Sequence, residues 1–391
     1  MRIDNRLAER LKKIKPSSTL AITSKAKKLK SEGKDVISFA AGEPDFDTPD
    51  FIKDAAIEAI RLGFTKYTPS TGTLELKQAI IEKFKRDNAL EYAPNQIVVS
   101  CGAKHSIFNV ILTLIGPQDE VLVPLPFWVS YPEMVYLAQG GVCFIKTEAK
   151  DSFKVTPEQL LRHITPKTKL LILNTPSNPS GCVYTRQELD KIAAICVEKN
   201  IFVISDEIYE KLIYDNLKHV SIASLGKEIY NQTITINGLS KSYSMTGWRI
   251  GYLGGPVDIV EAVSRLQDHS TSNPASISQK AALAALKAPD DFIKTMKGEF
   301  QKRRDYLVDR LSAIKNIGFI RPQGAFYAFC DIKNTGLDSV TLSTRLLEES
   351  LVAVIPGESF GRDDYVRLSF AASLEQIEKG MDRFEGWLKK I

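Results

Sequence analysis

The sequence predicts an α/β protein: a large, mostly parallel seven-stranded sheet domain covered by helices, joined to a smaller α+β domain. Three observations carry that reading. Seven short apolar or β-branched runs recur through the middle of the chain. Most are separated by helix-length segments with 3.6-residue apolar spacing, such as the one holding Ile107, Phe108, Ile111, Leu114 and Ile115. Past residue 286, long charged helical stretches give way to two further strand-like runs. Strands buried on both faces read as near-continuous apolar runs, and their alternation with helices signals parallel crossovers.

In chain order, the basic segment "RLAERLKKIKPSSTLAITSKAKKLKSEGK" comes first. Asp4 and Glu9 interrupt its charge and no apolar core of leader length follows, so it reads as a solvated amphipathic arm. The expected sheet strands are "QIVVS" (96–100), "EVLVPLP" (120–126), "VCFIKT" (142–147), "KLLILNT" (169–175), "IFVISDE" (201–207), "TITIN" (233–237) and "IGYLGG" (250–255). The "APDD" stretch at 288–291 can start a helix and marks the expected boundary. That divides the chain into an arm with part of the small domain (1–46), a large domain (47–287) and a small domain (288–391). The last of these carries "FIKTMKGEFQKRRDYLVDRLSAI", "GAFYAFCDI" and "VRLSFA".

Composition excludes several classes. With 391 residues, 43% hydrophobic and 25% charged, the chain can bury a large core. A net charge of +5 demands no nucleic-acid partner, and no apolar run approaches the roughly 18 residues a membrane span needs. Five scattered cysteines without a CxxC pair suggest neither a disulfide framework nor a zinc site, and suit a reducing cytoplasm.

In open α/β sheets ligands bind beyond the carboxyl ends of the strands, so the residues following each run matter most. After "QIVVS" come Cys101, Gly102, Ala103 and Lys104, a glycine turn into a helix whose free N–H groups can receive an anion. No GxGxxG or Walker pattern is present, which argues against NAD and ATP. After "IFVIS" comes Asp206, followed by Glu207 and Tyr209; a strand-end carboxylate is costly to bury alone, although Asp is also a common helix cap. Asn178 precedes a proline, which restricts its backbone to extended conformations and lets its amide be aimed; a plain turn would show the same pattern. Lys241 follows "TITIN", and Arg249 comes eight residues later. A surface lysine could simply snorkel. A desolvated one near other cations loses its proton readily and attacks an aldehyde, while the arginine fork suits phosphate oxygens. An amine, a carboxylate, a phosphate cradle and an arginine on separate loops fit pyridoxal phosphate.

The segment from Gly238 to Gly251, "GLSKSYSMTGWRIG", resembles the lysine-attachment signature of class I aminotransferases, fold type I of the pyridoxal-phosphate enzymes. The likeness extends through "AAGEPDFDTP", "KYTPSTGTLELK", "FWVSYPE", "NTPSNPSG", "SDEIYE", "PQGAFY" and "VRLSFA", and so over essentially the whole chain. It is strongest to the bacterial aspartate and prephenate aminotransferase branch. The resemblance implies that Lys241 holds the cofactor aldehyde and shuttles the proton. It implies that Asp206 keeps the pyridine nitrogen protonated, that Asn178 and Tyr209 bond the phenolic oxygen, and that Trp128 stacks on the ring. Phosphate would meet Ala103, Lys104, Arg249 and, from a second subunit, Tyr67. Arg367 would grip the substrate α-carboxylate with Asn178 and the Gly42 backbone.

One departure bears on specificity. Animal-type aspartate enzymes use a partner-subunit arginine for the distal carboxylate, and the matching stretch "QDHSTSNPAS" has none. In the bacterial branch a lysine and a threonine serve instead, and Lys104 and Thr19 match them. The resemblance therefore implies an aspartate and 2-oxoglutarate transaminase working as a homodimer. Prephenate transamination is an alternative, since prephenate also carries a second carboxylate; an aromatic specificity fits Lys104 less well. Phe326 and Ile22 are expected on the pocket's apolar wall. A transcription regulator with this fold needs a winged helix ahead of "AAGEPDF", which begins at residue 40, so the enzyme reading is preferred.

Overall fold

The computed structural model describes residues 7–14 and 18–390; of the arm, residues 1–6 (Asp4 among them) and 15–17 lie outside the described residues. Its strands are β1 (Ile37–Ser38), β2 (Ile97–Ser100), β3 (Glu120–Leu125), β4 (Gly141–Lys146), β5 (Thr168–Asn174), β6 (Phe202–Asp206), β7 (Thr233–Gly238) and β8 (Gly251–Gly254). Toward the C-terminus follow β9 (Gly318–Phe319), β10 (Tyr327–Asp331), β11 (Val352–Ala353), β12 (Ile355–Pro356) and β13 (Tyr365–Ser369).

β2 to β8 form one seven-stranded sheet in the order β2-β8-β7-β6-β5-β3-β4. Neighbours from β4 to β7 pair in parallel, and only β8 runs against both of its neighbours. The reason is local: a short link without a crossover helix can only return the chain antiparallel. That link, residues 239–250, carries both Lys241 and Arg249.

Every residue of β2, β7 and β8 is buried. One apolar cluster joins Ile107, Val110 and Ile111 to Ile172, Ile204 and Ile236. Another joins Leu171, Leu173 and Val203 to Leu189, Ile192 and Cys196 of the helix Arg186–Glu198. That helix opens on a capping box, Thr185 with Glu188, which satisfies its first free N–H groups reciprocally.

β9, β10, β12 and β13 make a separate antiparallel sheet, order β12-β13-β10-β9. β1 pairs in parallel with β11, Ile37 opposite Val352, so the segment before Phe46 packs with this C-terminal unit. Phe39 joins Phe300, Phe326, Phe370 and Phe384 in that unit's core. The helix Ser18–Ser31 lies beside it, with Ala26 buried in a cluster with Phe329, Phe360 and Tyr365.

Candidate active site

The carboxyl ends of β5, β6 and β7, the turn after β2 and the face of β13 converge on one cavity of ≈ 660 Å³. Its lining includes Thr19, Gly42, Ala103, Lys104, Trp128, Asn178, Asp206, Tyr209, Lys241, Arg249 and Arg367. The chain thus brings together eleven residues from segments that lie far apart in the sequence.

The turn after β2 shows why glycine stands there. Gly102 has φ +91°, and a Cβ at that position would lie 2.4 Å from Nη2 of Arg249. Glycine therefore supplies both the left-handed backbone and the space the guanidinium fills. Gly102 offers no side-chain cap to the helix Ala103–Leu114, which leaves that N-terminus available to an anion. Arg249 donates from Nη1 to the Thr246 carbonyl at 2.9 Å and from Nη2 to the Cys101 carbonyl at 3.3 Å, so its fork is held over the turn.

Asp206 ends β6 and is buried. It accepts a 2.6 Å bond from the Tyr131 hydroxyl at Oδ2 and a 3.3 Å bond from the Ile208 N–H at Oδ1. Burial pushes its carboxyl up to about 6, and those two donors oppose the shift only in part. Lys241 Nζ donates to the Gly42 carbonyl. Burial brings its amine down to about 8; Glu43 opposes that, while Arg367 and Arg249 add to it. Burial, then Arg249, also lowers Lys104, whose ammonium sits 4.9 Å from the centre of the Trp128 ring.

Arg367, in the middle of β13, is 3% exposed. It donates to Asn178 Oδ1 at 3.0 Å and to the Ala40 carbonyl at 3.2 Å, and it lies over the rings of Tyr327 and Phe360. Its Nε is buried without a partner among the described residues, and so is Oγ1 of Thr19. Asn178 is held in turn by its N–H, which donates to Asn174 Oδ1 at 2.8 Å. Tyr209 and Tyr327 share a 2.8 Å hydroxyl contact.

These groups fit a phosphorylated, aldehyde-bearing cofactor. An amine with a low pKa, a buried carboxylate short of donors and an anion cradle share one cavity with an arginine whose Nε has no partner among the described residues. The profile of the aminotransferase class I and II family matches residues 34–384. The chain belongs to that family. Among curated relatives of this aminotransferase, the aspartate aminotransferase of Bacillus sp. strain YM-2 is 51% identical, with 98% of this chain and 99% of the relative covered. The aspartate/prephenate aminotransferase of Nitrosomonas europaea is 45% identical over 98% of this chain and 100% of its own. Among solved structures, the Thermus thermophilus aspartate aminotransferase with maleate superposes with a TM-score of 0.94 at 41% identity, covering 99% and 100% of the two chains.

Tyr67, expected to act from a second subunit, is 91% exposed and lies outside the cavity of its own chain. Two expected placements differ in the aminotransferase. Phe326 is fully buried behind Tyr209, ring centroids 5.5 Å apart, rather than on the pocket wall. Ile22 packs into the cluster around Ala26 and Phe360, because the helix turns positions 19, 23, 26, 27 and 30 to the cavity instead. Sequence reasoning missed Tyr131, Tyr327, Glu43, Lys27 and Lys30. Tyr131 was detectable: it stands three residues after Trp128, and the two rings meet edge-on at 5.3 Å. Tyr327 gave no such signal, since it reaches the site only through strand pairing.

The residue after Asp206 enters a different setting. Glu207 accepts from Ser205, Ser221, Asn88 and His219 at 2.6–2.9 Å. Glu210 pairs with the Lys83 ammonium and accepts from Asn88 at 2.6 Å. Glu207, Glu210 and His219 come close enough together to suggest a metal ion. Lys83 already supplies the cation, so the cluster reads as a buried ionic network.

Proposed function

We propose that this aminotransferase is pyridoxal-phosphate-dependent and exchanges amino groups between L-aspartate and 2-oxoglutarate, yielding oxaloacetate and L-glutamate. One observation carries the reading. Arg367 Nε and Thr19 Oγ1, both buried and unpartnered among the described residues, belong to residues lining the same cavity as Lys241. Buried polar atoms rarely go without partners unless a ligand supplies them. A fork, a hydroxyl and a free amine around one cavity suit an amino acid with two carboxylates.

When bound, pyridoxal phosphate supplies a ring that accepts the electrons released at the substrate Cα. Asp206 would hold its protonated nitrogen, Asn178 and Tyr209 its phenolic oxygen, and Trp128 its face. The Ala103 and Lys104 N–H groups would hold its phosphate with Arg249. Lys241 does the proton work: an amine titrating at about 8 is partly neutral at physiological pH and can both accept and return a proton. Arg367, with the Gly42 backbone and Asn178, orients the α-carboxylate bidentately, which a lysine could not do. Lys104 and Thr19 receive the distal carboxylate.

The active form on this reading is a homodimer in which Tyr67 reaches the partner's phosphate. The stretch from 51 to 74 exposes Phe51, Ile57, Ile60, Leu62, Tyr67 and Leu74, a concentration of apolar surface suited to an interface. The five free cysteines support a reducing, cytoplasmic setting. Relatives named for both aspartate and prephenate favour prephenate as a second amino acceptor. The test is to follow the visible absorbance of the bound cofactor through single half-reactions. Aspartate and glutamate should each bleach it, and oxaloacetate or 2-oxoglutarate should restore it. Bleaching by aromatic or branched donors alone would refute the roles of Lys104 and Thr19, and restoration by prephenate would establish the second acceptor.

A further inference from the structure

The helix Ser18–Ser31 turns one face to the cavity, and that face carries Thr19, Thr23, Ala26, Lys27 and Lys30. Its flanking lysines have acidic neighbours: Lys25 pairs with Glu348 at 2.5 Å and Lys28 lies 3.9 Å from Glu32. Lys27 and Lys30 are exposed at the mouth and have no carboxylate partner among the described residues. The cavity as a whole is lined by six basic side chains (Lys27, Lys30, Lys104, Lys241, Arg249 and Arg367) against two carboxylates, Glu43 and Asp206. On the proposed reading, four of the six have assigned partners inside: a cofactor aldehyde, its phosphate and two substrate carboxylates. Lys27 and Lys30 have none.

We infer that Lys27 and Lys30 form an entry site that draws dicarboxylate substrates, which carry net negative charge, into the cavity. The inference rests on the dicarboxylate reading of the pocket. A cleft lined by one sign of charge focuses the field and raises the local concentration of a ligand of opposite sign. The effect grows with ligand charge and fades once salt shortens the screening length below the distance to the mouth. An amino dicarboxylate or a 2-oxo diacid carries net negative charge; a zwitterionic donor such as alanine carries none. The two lysines therefore discriminate by charge before Lys104 and Arg367 discriminate by geometry. They act on capture rather than chemistry, so they alter kcat/KM and leave kcat unchanged.

The experiment compares wild type, the double variant Lys27→Gln/Lys30→Gln, its Lys→Arg counterpart and the control Lys25→Gln/Lys28→Gln as cofactor-loaded enzymes at about 20 mM and 300 mM salt. At low salt the Gln pair should lose about three- to tenfold in kcat/KM for aspartate and 2-oxoglutarate, with kcat preserved. It should also lose about threefold or more in calorimetric affinity for maleate, an inert diacid. The Arg pair should retain wild-type values, the control pair should change less than twofold, and high salt should erase the difference. Equal losses in the control and Gln pairs would overturn the inference in favour of a net-charge effect. An unchanged Gln pair beside an active, salt-sensitive wild type would overturn the entry site alone. A wild type that neither turns over dicarboxylates nor binds maleate would overturn the pocket reading and the entry site together.

Discussion

Asp206 and Glu207 are adjacent, both buried and both acidic, yet their environments differ in kind. Glu207 is surrounded by donors: two serine hydroxyls, the Asn88 amide and the His219 ring. Burial alone would raise its pKa, but His219, Ser221 and Ser205 together hold it below the ordinary carboxylate range. Asp206 has one hydroxyl and one long backbone contact, and burial prevails. The difference separates structure from function: a satisfied buried charge holds elements together, whereas a partly satisfied one waits for a ligand to complete it.

The largest test of that comparison is Lys241→Ala, which empties the reactive side while leaving the network around Glu207 intact. Turnover should fall by at least about 10³-fold with a near-native melting temperature. In wild type, the rate at which the empty enzyme captures cofactor should rise with pH through about 8 and then level off, as the amine loses its proton. Glu207→Ala attacks the other side. It leaves His219 without its counter-charge and Ser205, Ser221 and Asn88 without their acceptor, and should destabilise the fold by about 3–5 kcal/mol in denaturant titrations. Folded enzyme at low denaturant should still bind the cofactor.

Asp206→Asn sharpens the contrast by reversing the sign. The Asp206 pKa is higher in the folded protein than in the unfolded chain, so the unfolded chain ionises first. Wild-type stability therefore declines as pH rises from about 4 through about 6 and stays lower above that. In the cofactor-free protein, the Asn variant should gain up to about 3 kcal/mol at pH 8 and almost nothing at pH 3.5. A variant destabilised at pH 8 would show that Asp206 is structural like its neighbour. Tyr131→Phe is the mildest change: losing one donor to Asp206 should raise that carboxyl's pKa further, shift the acidic limb of the pH–rate profile upward and lower turnover by about tenfold.

Much of this was legible in the sequence, for identifiable reasons. The seven strands announced themselves because buried parallel strands are apolar throughout. Lys241, Asp206 and Asn178 were legible because each stands at or just beyond the end of a strand run, where an α/β sheet puts its ligands, and Arg249 because it comes eight residues after Lys241. Gly102 was legible as a turn, though not as the space for Arg249. Tyr327 and the lysine pair at 27 and 30 were hidden. The first arrives through antiparallel pairing with β13, the second through the rotation of a helix whose opposite flank is also basic.

The sequence by itself determined the class of chemistry, because residue type and strand-end position follow from local pattern and from the reactivity of amine, carboxylate and guanidinium. Only the tertiary structure decided which charges are satisfied. Partnership depends on segments far apart in the chain: Asn88 and Ser221 meeting Glu207, Tyr131 meeting Asp206, and Asn178 meeting Arg367 while its Nε has no partner among the described residues. Hydrogen bonds are short-ranged and directional, so one carboxylate or guanidinium can be a strut or a binding site according to which distant donors and acceptors the fold delivers to it.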